Sequence, residues 1–147
     1  MNPDDPIGPI AANLRRVRAA IAAAAVSAGR RPEEIALVAV SKTRPPAALA
    51  AALAAGQKVF GENTVQEALT KIPHFQGRGV EWHFIGHLQS NKARFIPGNF
   101  GWLHSLDGVR LAGRLSHAAR EKGAVVNTLI EVNITRDPHK HGVVPEA

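Results

Sequence analysis

The chain has 147 residues, a formal net charge of +6, no cysteine and no tyrosine. That length bounds it to one domain, and the missing thiols exclude a disulfide scaffold, a thiolate zinc site and a cysteine nucleophile, a usage that fits a cytoplasmic protein. The basic residues are scattered from Arg15 to Lys140 without interleaved aromatics, so the charge reads as solvated surface or a match for a phosphorylated ligand, not as a specific nucleic-acid surface.

In chain order, Ile10, Leu14, Val17, Ile21, Ala24 and Ala28 step by four and three residues. This predicts an N-terminal helix with one buried stripe, ended by Gly29. Asp4 and Asp5 ahead of the arginines, and the weak hydrophobicity of the alanine run, argue against a secretion signal. No stretch approaches the ~18–20 apolar residues of a membrane span. Residues 35–40 (IALVAV) are apolar and β-branched at intervals, as in a strand covered on both faces. Pro45-Pro46 opens a second helix with Leu49 and Leu53 inward, closed by Gly56. A short strand over 58–60 precedes a third helix, capped by Asn63 or Thr64 with Gln66 or Glu67 completing a capping box and stopped by Pro73. A third strand over 80–85 leads to a brief helix over 90–95, and a fourth strand spans 102–106. Asp107 is expected to cap a helix with Val109, Leu111, Leu115, Ala118 and Ala119 inward, closed by Gly123. Residues 125–134 read as the fifth strand. Pro145 and Glu146 then suit the first turn of a further helix, so the chain reads as truncated at its C-terminus.

Strands alternating with helices imply βαβ units and a mostly parallel sheet. Neither GxGxxG nor GxxxxGK[ST] occurs, which leaves a dinucleotide fold or P-loop without support and favours an α/β, (β/α) barrel reading. In such a barrel, function gathers where strands run into the following loops. There stand Lys42 after the first strand, Glu62 and Asn63 after the second, His83 and His87 at the third, His104, Ser105 and Asp107 at the fourth, and Asn133, Lys140 and His141 after the fifth. Lys42 follows a strand with no other charge. A partly desolvated amine there can attack an aldehyde and form a Schiff base, or it can simply snorkel to the rim or pair with Glu62. His83/His87 and His139/His141 do not make a metal motif, because the first pair falls on strand and loop and no HExxH spacing is present. Ser105 near His104 and Asp107 lacks a GxSxG nucleophile elbow.

The runs VAVSKT (38–43), FGEN–QE (60–67), WHFIGHLQSNK (82–92), HSLD (104–107), VN (132–133) and K-x-G (140–142), in that order and spacing, resemble the pyridoxal phosphate homeostasis protein family, which is itself similar to the N-terminal barrel of alanine racemase. The match spans roughly residues 8–144. The resemblance implies a partial (β/α)8 barrel of TIM type: the first five strands with a preceding N-terminal helix, as a single incomplete domain over 1–147. It also implies pyridoxal 5′-phosphate (PLP) as cofactor, with Lys42 as its Schiff-base lysine and Asn63, His83, Ser105 and Asn133 as neighbours of the cofactor ring. Family members hold the phosphate on Ser- and Gly-rich segments after later strands, which this chain does not contain.

The implied role is intracellular PLP homeostasis without established turnover, with PLP-dependent apoenzymes as recipients and no membrane partner. The oligomeric state stays open. Two alternatives stand beside it. One is a PLP-dependent amino-acid racemase, for which the second base, commonly Tyr, is missing. The other is a barrel fragment that no longer functions.

Overall fold

The structure is a computed structural model that describes residues 7–146; Asp4 and Asp5 lie outside them. Helix α1 (Ile7–Ser27) leads into β1 (Ala39–Val40), α2 (Pro46–Ala54), β2 (Val59–Glu62), α3 (Val65–Lys71), β3 (Glu81–Phe84), β4 (Trp102–Leu106), α4 (Val109–Glu121) and β5 (Asn127–Ile130). Short 3₁₀ turns add residues 32–34, 72–75 and 90–95. The strands form one sheet in the order β1-β2-β3-β4-β5, every neighbouring pair parallel. Strand order that follows chain order leaves no reversal point, so this is the singly wound arrangement of a partial (β/α) barrel, not a doubly wound sheet.

Strand alternation divides the sheet into two unlike faces. Ala39, Phe60 and Trp82 are in register on one face, and Phe84 and Leu103 continue it. These residues pack with Leu49, Ala68, Phe75, Phe100, Leu111 and Leu115 into the hydrophobic core. The other face carries the register row Val40, Gly61, His83, Trp102 and Asn127. It corresponds to the barrel interior, and Val40 on it is 54% exposed.

Helix prediction succeeds where periodicity is local. Helices α1, α2 and α4 are each followed by a glycine in the left-handed region, Gly29, Gly56 and Gly123. Thr64 is the N-cap of α3, its hydroxyl accepting from the Glu67 amide. The stripe of α1 drifts, however: Ile10, Leu14, Arg18, Ile21 and Ala25 are the more buried positions, not Val17, Ala24 and Ala28. Arg18 lies in that stripe because its guanidinium donates to the carbonyls of Ala55 and Gly56 and to Gln57 Oε1 (2.9–3.1 Å), a cation at the C-terminus of α2.

Four expectations are corrected. The first strand is only two residues long, because the Leu37 carbonyl accepts from the Gln57 side chain (2.7 Å), not from a ladder partner. Asp107 does not cap α4; the helix starts one residue later, with Gly108 at the N-cap and no side-chain cap bond. Val109 is 90% exposed, so the inward face of α4 is Leu111, Leu115 and Ala118. Residues 143–146 start no helix. Val143 instead bridges Val132 in parallel, its amide donating to the Glu131 carbonyl and its carbonyl accepting from the Asn133 amide (2.8 Å each).

Candidate functional site: the mouth of the partial barrel

Lys42 sits two residues beyond Val40, the last paired residue of β1, in the turn that leads towards α2. Its side chain is exposed and makes no hydrogen bond or ion pair among the described residues. The expected partial desolvation is therefore not provided by the described residues, and the expected alternative partner, Glu62, is engaged elsewhere.

What fixes Lys42 is the backbone on either side of it. Lys71, near the end of α3 and 4% exposed, donates from Nζ to the Ser41 carbonyl, to Glu62 Oε1 and to Glu67 Oε1, each at 2.7 Å. Glu62 at the end of β2 is fully buried and also accepts from the Ser41 hydroxyl at 2.6 Å. The Glu67 carboxylate accepts from the Thr43 amide. One ammonium and two carboxylates thus clamp the residue before Lys42 and the residue after it, while Thr43 holds a left-handed backbone (φ 61°). The hydrogen bond from Lys71 is the main cause that holds the Glu67 carboxyl below its ordinary range, assisted by the Thr43 amide and opposed by burial. The sequence reading missed Lys71 altogether. Its i,i+4 spacing from Glu67 is the pattern of a solvated helix pair, and only the nonlocal partners Ser41 and Glu62 show otherwise.

Asn63 and Ser105 each approach Gly86, just beyond β3. The Ser105 hydroxyl donates to the Gly86 carbonyl at 2.6 Å. A Cβ on Gly86 would stand 2.1 Å from the Asn63 carbonyl oxygen, so the β2–α3 and β3 loops touch backbone to backbone and only glycine fits. His83 lies deeper on the inner face. Its Nδ1 pairs with His104 Nε2 at 2.9 Å, its Nε2 with Glu81 Oε1 at 3.2 Å, and its ring stacks on Trp102. Burial, with the nearby His83, holds His104 below the ordinary histidine range. Asn133 is buried and spends its amide on its own loop, donating to the Asp137 carbonyl at 2.8 Å and accepting from the Asp137 amide at 3.2 Å. The structure therefore brings Asn63 and Ser105 to one rim, sets His83 in the layer of inward-facing side chains with His104, and makes Asn133 the brace of the loop that carries Lys140 and His141.

His83 and His87 do not pair with each other. His87 Nδ1 instead lies 3.4 Å from Asp107 Oδ2, and its ring stacks on His141 (centroids 3.6 Å apart, 10° between planes).

No family model matches the chain. It is 51% identical over 137 residues to the pyridoxal phosphate homeostasis protein of Escherichia coli K12, a match covering 91% of this chain and 58% of that protein. Among solved structures it is similar to PipY of Synechococcus elongatus PCC7942 without PLP, with TM-score 0.80, 40% identity and coverage of 93% of this chain and 60% of that one. The same protein with PLP bound matches with TM-score 0.76 and 38% identity, over 93% and 59% of the two chains. The chain is thus a relative of the pyridoxal phosphate homeostasis proteins and spans 57–60% of the length of the first of those it matches.

Proposed function

We propose that this chain is a PLP-binding protein of intracellular cofactor homeostasis, with its five-stranded sheet as part of a single barrel domain and Lys42 as the residue that holds the cofactor as a Schiff base. PLP supplies an aldehyde, and a primary amine condenses with it by losing one water. The observation that carries the reading is the placement of Lys42: an amine with no polar partner among the described residues, just beyond a parallel-strand C-terminus, on a backbone held from both sides by the Lys71, Glu62 and Glu67 network. The described residues fit that cofactor. The amine is the group an aldehyde needs, Asn63 and Ser105 stand at the neighbouring strand ends, and the net charge of +6 suits a phosphate. In this reading Asn63, His83, Ser105 and Asn133 shape and brace the site around the ring. The protein holds the cofactor and releases it to PLP-dependent apoenzymes without turning over a substrate.

A racemase needs a second base facing the amine across the substrate. There is no tyrosine for it, and His83 and His104 are occupied with one another.

Adding PLP to the purified chain should give a visible absorption band; borohydride should bleach it by reducing the C=N bond and leave the cofactor attached to Lys42, and Lys42→Ala should abolish both the band and the attachment. A chain that gains no band, or a band unchanged in the Lys42→Ala variant, overturns the proposal. Affinity no better than that of free lysine would support the non-functional reading instead.

A further inference from the structure

We propose that His87, Asp107 and His141 form a binding site for a divalent transition-metal ion, zinc-like in its preferences, at the barrel mouth. Each of the three offers one donor atom, and these atoms lie within 4.8 Å of one another. Two donors bound to one ion at roughly 2.0–2.2 Å each stand about 3.3–3.6 Å apart in a tetrahedral site, so side-chain rotation has to draw the set together. His87 Nδ1 and Asp107 Oδ2, 3.4 Å apart, already have a suitable spacing.

The donors come from three separate segments, and each segment is anchored by backbone close to its donor. His87 follows Gly86, whose carbonyl holds the Ser105 hydroxyl. Asp107 follows Leu106, whose carbonyl accepts from the Glu131 amide at 3.0 Å. His141 stands two residues before Val143, which is tied to Glu131 and Asn133, and the carbonyl of Lys140 also accepts from Asn133 Nδ2. The site is therefore largely prearranged, which spares the cost of ordering three loops on binding.

Two further features point to a ligand and not to a casual contact. Asp107 stands where a helix cap is expected, yet its carboxylate turns to His87. The His87 and His141 rings lie face to face with centroids 3.6 Å apart, which brings two imidazole donors from separate loops together. Two imidazoles with one carboxylate favour zinc, cobalt, nickel or copper over magnesium or calcium. Three protein donors leave coordination positions open to water or an added ligand. The proposal does not depend on PLP binding, because none of the three residues is among those assigned to the cofactor.

The test is calorimetric titration of the untagged chain with Zn²⁺ in the absence of PLP, and of Co²⁺ followed by its visible d–d bands. Saturable one-to-one uptake is expected, weakened at least tenfold by His87→Ala and by His141→Ala and more modestly by Asp107→Asn. His117→Ala, on the exposed face of α4, and His139→Ala should each change the affinity less than twofold. His87→Gln, which keeps side-chain bulk, should behave as His87→Ala if the donor nitrogen is what matters. The proposal is overturned by no saturable uptake, by uptake that survives the His87 variants, or by an equal loss in His139→Ala, which would assign the ion to the surface pair His139/His141.

Discussion

The buried Lys71–Glu62 pair permits a quantitative test of how the site is held. Lys71→Met keeps most of the side-chain volume and removes the ammonium. Glu62 would then remain fully buried, with Oε2 already lacking a partner and Oε1 left with only the Ser41 hydroxyl. Removing one member of a buried ion pair typically costs about 3–5 kcal/mol, because the remaining charge is stranded. That is a large share of the ~5–15 kcal/mol by which domains are stable. Urea denaturation followed by far-UV circular dichroism should show a loss in that range.

The double variant Lys71→Met/Glu62→Leu removes the stranded charge and should recover at least half of the loss, as apolar replacements of buried pairs commonly do. Its Ser41 carbonyl still lacks the Lys71 donor, so the turn around Lys42 should stay looser than in the parent. The double variant should therefore be more stable than Lys71→Met yet form the PLP-dependent absorption band more slowly or more weakly than the parent. A single variant that loses less than about 1 kcal/mol, against the typical range for such pairs, would refute the buried pair. A double variant that is stable and reacts at the parental rate would refute the clamp on Lys42.

The same network carries a pH signature. The folded-state Glu67 carboxyl lies below its reference value of 4.5, so its contribution to stability is present above that value and is lost as pH falls through the depressed one; acid titration of the Lys71→Met variant should show a shallower loss in that window. His104 behaves in the same sense in a higher window: burial lowers it below 6.5, so between the lowered value and 6.5 the unfolded chain binds more protons and stability falls as pH drops. His104→Gln should flatten that part of the stability–pH curve. Gly86→Ala must push apart two backbones that meet at 2.1 Å from the new Cβ, and a loss of at least about 2 kcal/mol is expected from thermal or urea melts. On α4, Leu111→Ala should cost about 2–5 kcal/mol and Val109→Ala no more than about 0.5 kcal/mol, and comparable losses would contradict the assigned helix face.

Much of this fold is legible in the chain because its determinants are local. The prolines at the start of α2, the threonine–glutamate spacing at α3 and the leucines of α4 act within one or two helical turns. What is not legible depends on partners distant in sequence. The residues before β1 look like a full strand, but Gln57 takes the Leu37 carbonyl. Arg18 looks like one of three solvated arginines, but the end of α2 lies against it. The histidines look like two sequence-near pairs, but parallel packing of separate strands and loops partners His83 with His104 and His87 with His141. Lys42 itself is legible from its place after an apolar strand, whereas the residue that holds its backbone, Lys71, is 29 positions away in the chain and resembles ordinary helix surface.

That division between reactive group and support makes the role of Lys42 separable from the fold. Its side chain is exposed and without polar partners among the described residues, and the hydrogen bonds at its turn belong to Ser41, Thr43, Glu62, Glu67 and Lys71. Lys42→Ala should therefore change stability by no more than about 0.5 kcal/mol, the usual range for surface changes, while removing the PLP-dependent band entirely. Lys71→Met should do the reverse in kind: it leaves the amine in place and destabilises the scaffold. If Lys42→Ala instead lowers stability by as much as Lys71→Met, then Lys42 is part of the structural network, and loss of the band in its variant could no longer be assigned to loss of the reacting amine.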